Sequence, residues 1–327
     1  MKKIISMLLT GLFIAMTLTA CGQSGKSADS TAGASKTADK ISIVATIFPP
    51  VDFARQIVGD RADVSMLLPP ASESHSFEPT PQDIIKIQNC DVFIYVGGES
   101  DEWVDGVLES MDTSKIKVIT LMDCVEVVEE EIVEGMQDEE EAGVSAEGEE
   151  APEYDEHVWT SPRNAKLIVE KISDALSEAD AANAGTYKTN TAAYLAKLDE
   201  LDEAFKNVVD HAARRTIVLG DRFPFRYFAD AYGLEYYAAF PGCSTETEAS
   251  AATVKFLIDK INAEKIPVVF HIELSNEKMA NTIAEATGAK VLLLNACHNI
   301  SKADFEAGKT YIDLMRGNVE TLREALS

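Results

Sequence analysis

The stretch KVITLMDC, residues 117–124, is answered by KVLLLNAC, residues 290–297, cysteine included. Each copy is a lysine, a β-favouring apolar run, a polar break and a terminal cysteine. Working outward from this pair, Phe48-Pro49 is answered by Phe223-Pro224 and Phe53-Ala54 by Phe228-Ala229, at an offset of about 175 positions. The runs ISIVAT, DVSMLLP, DVFIYVGG and KVITLM, with helical stretches between several of them, have counterparts in TIVLGD, LEYYAAFP, PVVFHIE and KVLLLN. The duplication predicts an α/β fold of two similar lobes, each with a mainly parallel four-stranded sheet.

Between the series lies a helical segment. Ser161-Pro162 suits a helix start, with serine as cap and proline in the first turn. Beyond a break near Asn183, the residues Tyr187, Thr191, Tyr194, Leu198, Leu201, Phe205 and Val208 keep a four-three spacing, one seam of a single helix. A helix over 186–212 would span about 40 Å and join the lobes rigidly. The expected organisation is a first lobe over 41–180 carrying an acidic insertion at 126–156, a linking helix over 181–214, and a second lobe over 215–327, with a ligand cleft between the lobes.

The first 21 residues read as a secretory signal: Lys2 and Lys3, a short apolar run from Ile4 to Ala15, then Leu18-Thr19-Ala20-Cys21, which resembles the lipobox of bacterial lipoproteins. That resemblance implies lipidation at Cys21 and a chain held outside the cytoplasm on the bacterial cell membrane. Residues 22–40 are small and polar, as expected of a tether. With 29 Lys+Arg against 55 Asp+Glu and a net charge of -26, the chain repels nucleic acid and anionic lipid surfaces. Cys90, Cys124, Cys243 and Cys297 remain, without a Cys-x-x-Cys pair. Cys243 and Cys297 end corresponding loops, so a disulfide between them is one expectation and thiolate ligation the competing one.

Parallel sheets bind ligands beyond the carboxyl ends of their strands, so the loops there are the place to look. The second strand is followed by PPASESHSFEPTP with His75; the fourth by the acidic run ending in YDEHVW with His157. In the second series the corresponding loops are PGCSTETEAS, with Glu246 and Glu248, and NACHN, with His298. Three of the five histidines thus occupy loops expected to converge. His211, near the end of the linking helix, and His271, inside a strand, are read as structural.

PPASESHSFEPTPQDI, YDEHVWTSPRNA, YKTNTAAYLAKLDEL, RFPFRYFADAYGL and TYIDLMRGNVETLREAL resemble, in order, the cluster A-I solute-binding lipoproteins of zinc and manganese ABC importers. The resemblance implies two lobes joined by a long helix, one divalent ion in the cleft, a permease as partner, and His75 and His157 as first and second ligands. In the family the third ligand closes the first strand of the second lobe, where this chain has Gly220, and the fourth closes the last strand, where this chain has Asn295. Neither is a useful donor, so His298 is expected to replace them, with Glu246 or Asp221 adding an oxygen. Three imidazoles and a carboxylate favour Zn2+ over Mn2+. The expected function is capture of the ion by a monomer and its delivery to the permease. A metal-binding surface adhesin or extracytoplasmic metal chaperone is the alternative, and a metallohydrolase a weaker one, since HExxH and G-x-S-x-G are both missing from the sequence.

Overall fold

The computed structural model describes residues 40–136, 153–244 and 248–327. The signal segment, Cys21, most of the tether, the tip of the acidic insertion and Glu246 therefore lie outside the described residues. Eight short strands form two sheets, every neighbouring pair parallel. The first has the order β2-β1-β3-β4, from β1 (Ser42–Ala45), β2 (Asp63–Met66), β3 (Val92–Tyr95) and β4 (Lys117–Thr120). The second repeats it as β6-β5-β7-β8, from β5 (Thr216–Arg222), β6 (Glu235–Phe240), β7 (Val268–His271) and β8 (Lys290–Leu293). The internal repeat is therefore a repeat of topology, and the chain has the bilobed α/β fold that it predicts.

The central strands β1, β3, β5 and β7 are largely apolar and buried, β5 turning polar at its Asp221-Arg222 end, because helices cover both faces, as parallel sheets require. One continuous core joins the inner faces of both sheets, running from Ile43 and Ile94 through Trp159, Leu198 and Phe205 to Ile217 and Phe270. Separate clusters cover the outer faces, around Phe93 and Val104 in the first lobe and around Leu257 and Ile283 in the second. The α-helices of the described residues are α1 (Phe48–Val58), α2 (Pro81–Gln88), α3 (Glu102–Glu109), α4 (Pro162–Ala179), α5 (Ala184–Asp210), α6 (Arg226–Tyr232), α7 (Ala251–Glu264), α8 (Lys278–Thr287), α9 (Lys302–Glu306) and α10 (Tyr311–Leu326), of which α1, α4, α5, α6 and α10 line the shared core. The seam from Tyr187 to Val208 is buried throughout α5, which packs along α1, α4 and α10. The long helix is thus the floor of a helical layer common to both lobes. Two helices begin with reciprocal caps: Thr80 with Asp83 on α2 (Pro81–Gln88), and Thr310 with Asp313 on α10, each worth about 1 kcal/mol.

Gly220 has a structural reason. A Cβ there would stand 2.6 Å from the Ala280 Cα of α8 (Lys278–Thr287), so glycine is what lets helix and strand approach. Strand β5 runs on past it to Arg222. Asn295 likewise shapes its loop: its Oδ1 accepts from the Cys297 amide at 2.9 Å, and its own amide donates to Asn318 Oδ1 at 2.8 Å. Gly220 thus serves close packing and Asn295 serves turn formation. The expected disulfide is not formed either: Cys243 and Cys297 are separate buried thiols.

Candidate metal centre

Three loops deliver the histidines. His75 follows β2, and its Nδ1 lies 2.8 Å from Ser100 Oγ. His157 arrives on the returning arm of the acidic insertion, whose two arms are laced together. Glu129 and Tyr154 form an antiparallel bridge; the Glu130 amide donates to Glu153 O at 2.9 Å and the Asp155 amide to Val128 O at 3.0 Å. The Tyr227 hydroxyl, from α6 (Arg226–Tyr232) of the second lobe, donates to Asp155 O at 2.7 Å and holds the arm in place. His298 follows β8 through Cys297, which sits at φ 62, a left-handed conformation that a cysteine adopts only under local constraint.

The rings meet across the lobes. Ring centroids are 5.6 Å apart for His75 and His157, 5.3 Å for His75 and His298, and 4.8 Å for His157 and His298. Their ligand nitrogens all lie within 4.8 Å of one another. Trp159 walls the centre, 5.6 Å from His157 and 5.5 Å from His298, while its indole N–H donates to Ala296 O at 2.7 Å. All three Nε2 atoms are buried and without a hydrogen-bond partner. Leaving one buried polar atom unpaired costs about 1–3 kcal/mol, so three pointing at one spot describe a place for a shared cation.

Each Nδ1 is turned away and engaged. That of His157 lies 3.0 Å from Asp155 Oδ1, and that of His298 lies 3.2 Å from Glu273 Oε1. His75 reaches a carboxylate through a relay, with Ser100 Oγ accepting from the ring and donating to Glu156 Oε1. An Nδ1–H held by an acceptor fixes the tautomer that offers the Nε2 lone pair, the usual support of a metal-binding imidazole. Asp155 and Glu273 also accept the backbone amides of the histidines they orient, both at 2.8 Å.

Burial, then the neighbouring His298 and His157 rings and Arg222, hold His75 well below the usual histidine range. Burial, then His157 and Arg222, do the same to His298. His157 behaves oppositely. Burial opposes its charge, but Asp155, Glu156 and Glu130 outweigh it and raise its pKa. Burial pushes the Glu273 carboxyl up to about 7 despite the amides it accepts. A proton on this group of rings is thus favoured at His157 over its two neighbours.

The other expected donors stand apart. Asp221 turns Oδ1 to the Arg222 amide at 2.9 Å and Oδ2 to the Ile272 amide at 3.3 Å, and it does not join the histidine group. Glu248 is exposed. His211 accepts no such role: its Nδ1 pairs with Asn207 O at 2.9 Å, and His271 Nδ1 pairs with Ile272 O at the same distance. Sequence reasoning missed Ser100, Asp155, Glu156 and Glu273. Asp155 and Glu156 were visible as the carboxylates adjoining His157, and Glu273 as a carboxylate just beyond the end of an apolar strand. It also missed Arg222, whose guanidinium crosses to the first lobe and holds Glu73 at 3.1 and 3.3 Å beside His75. These two line a cavity of about 280 Å³ together with His75, Asp221 and Glu277.

The sequence profile of ZnuA, zinc-uptake complex component A periplasmic, matches residues 43–325. The zinc-binding lipoprotein AdcA of Streptococcus pneumoniae is 34% identical over 326 residues, 99% of this chain and 61% of AdcA. The high-affinity zinc uptake system protein ZnuA of Bacillus subtilis is 32% identical over 322 residues, 97% of both chains. Among solved structures, the Zn(II)-bound ZnuA-like domain of S. pneumoniae AdcA superposes with a TM-score of 0.72 at 30% identity, covering 88% of this chain and 99% of that domain. The chain thus spans about three-fifths of AdcA and nearly all of the Bacillus protein.

Proposed function

From the premise that this chain belongs to the ZnuA family of zinc-uptake binding components, we propose that it captures a divalent transition metal outside the cytoplasm and delivers it to the permease of an ABC importer. It is a binding protein and not an enzyme. The observation carrying this reading is the convergence of three buried, unpartnered Nε2 atoms from loops of both lobes. His75, His157 and His298 are the donors we assign, and the fourth position goes to an oxygen, from water or from a carboxylate. Glu246, outside the described residues, is the carboxylate we nominate; Asp221 is committed to backbone amides.

An all-imidazole face suits zinc, whereas manganese prefers oxygen-rich shells, so Zn2+ is the cargo and Mn2+ the weaker competitor. The signal segment ending at Cys21 supports attachment to the membrane by lipid, which would hold the protein near its permease. Metal analysis of protein prepared without chelator, followed by competition titration, tests the reading. About one tightly held zinc per chain is expected, lost in His157→Ala. A wild-type chain that binds neither zinc nor manganese overturns it.

A further inference from the structure

A second set of donor atoms lies beside the three imidazoles and shares one of them. Ligand atoms of Glu156, His157 and Cys243 lie within 4.8 Å of one another, and all three residues are buried. Cys243 comes from the opposite lobe, on the loop after β6. Its amide donates to Glu130 Oε1 at 3.1 Å, on the outgoing arm of the acidic insertion. Gly242 makes this approach possible: a Cβ there would stand 3.0 Å from Phe223 O, 3.1 Å from His157 Cε1 and 3.2 Å from Glu130 Oε1. Asp155, which orients His157 through Oδ1, is 1% exposed and leaves Oδ2 buried without a partner in the same region.

The two sets differ in chemistry. The three imidazoles themselves carry no charge to offset a divalent ion, whereas a thiolate and a carboxylate together neutralise it. A thiolate also selects softer ions than imidazole or oxygen does. We propose that Cys243, His157 and Glu156 form a second metal position, specific for thiophilic ions, which shares His157 with the three-histidine position. It rests on His157 being a metal donor. Filling it forms a sulfur–metal bond and sends the thiol proton to solvent, with no change of oxidation state. One shared ring means that one ion at a time uses it, so a thiophilic ion excludes zinc from the pair of positions instead of adding to it.

Cadmium titration of the full chain, followed by the ultraviolet thiolate-to-cadmium charge-transfer absorption, tests this. The wild type should develop the sulfur band as cadmium displaces bound zinc. Cys243→Ser should lose the band and at least about tenfold of its cadmium-over-zinc preference, while zinc affinity stays within about threefold. Cys297→Ser should keep both. Cadmium NMR of the wild type, whose shift separates sulfur from nitrogen and oxygen donors, gives the same answer if Cys243→Ser does not fold. Zinc binding without any sulfur signal from cadmium, or a signal that survives Cys243→Ser, overturns the second position and leaves the importer reading standing. Failure of both metals to bind overturns both.

Discussion

His157 alone among the three rings holds its proton tightly, because Asp155 sits 3.0 Å from its Nδ1 and Glu156 and Glu130 add to the field. Burial, then the nearby His157 ring and the Arg222 guanidinium, favour the neutral forms of His75 and His298, with His298 adding to the effect on His75. An incoming ion therefore meets its strongest competition from a proton at His157. Because the His157 pKa is raised, affinity should climb with pH through and above the ordinary histidine value of about 6.5, then level off once that ring is neutral. Calorimetry in buffers of different ionisation enthalpy should count about one proton released per zinc near neutrality, with Glu273 adding a fraction. A count near three would contradict the assignment of neutral His75 and His298. At the same scale, His298→Ala should weaken zinc binding at least about tenfold in a competition titration, whereas His211→Ala and His271→Ala should not. Both of the latter rings are committed to carbonyl oxygens away from the centre.

The acidic insertion behaves as two parts. Its arms, 126–136 and 153–156, are structural: Glu131 accepts from the Tyr236 hydroxyl at 3.0 Å and pairs with Arg226 at 3.4 Å, and Met136 is 8% exposed. Replacing 137–152 with a short glycine-serine link should leave one tight zinc and the thermal midpoint little changed. Removing 128–150 should instead lower stability by a few kcal/mol, about the worth of the lost bridges and packing, measured by urea unfolding. If both deletions behave alike, the arms are not the brace described here. This element also shows what the sequence could express. The strands were legible because residues buried on both faces write continuous apolar runs, and His75, His157 and His298 because each follows such a run. The arms were not legible: a run of glutamates reads as solvated, and nothing local says that the Tyr227 and Tyr236 hydroxyls of the other lobe will donate to it. Gly220 misled for a related reason. Its neighbour Ala280 is sixty positions away, so a glycine needed for close packing looked like a missing donor.

Across the whole molecule the lobes meet through named contacts around the centre. Asn299 Nδ2 donates to Pro69 O and Ser72 O at 2.8 Å, the Ala71 amide donates to Ile300 O at 2.9 Å, and Arg222 grips Glu73. An ion bound by both lobes adds to these. With free zinc about a thousandfold above its dissociation constant, linkage contributes about 4 kcal/mol, which a thermal melt resolves. His75→Ala or His157→Ala should lose most of that shift; an undiminished shift in both would place the ion elsewhere. Glu73→Gln keeps the donors but loosens the closure. A partly exposed ion pair is worth about 0.7 kcal/mol, so zinc release by stopped-flow chelation should quicken about threefold with the equilibrium count of ions unchanged. The order of the donors along the chain has one more effect. His75 and His157 come from the first lobe, while His298 lies close to the carboxyl end, on the last strand-end loop to be made. A chain in which the loop after β8 has not yet folded brings at most two of the three rings together and has no pocket. The three-ring pocket exists only once both lobes have folded against each other, so capture of the ion should follow folding and not precede it.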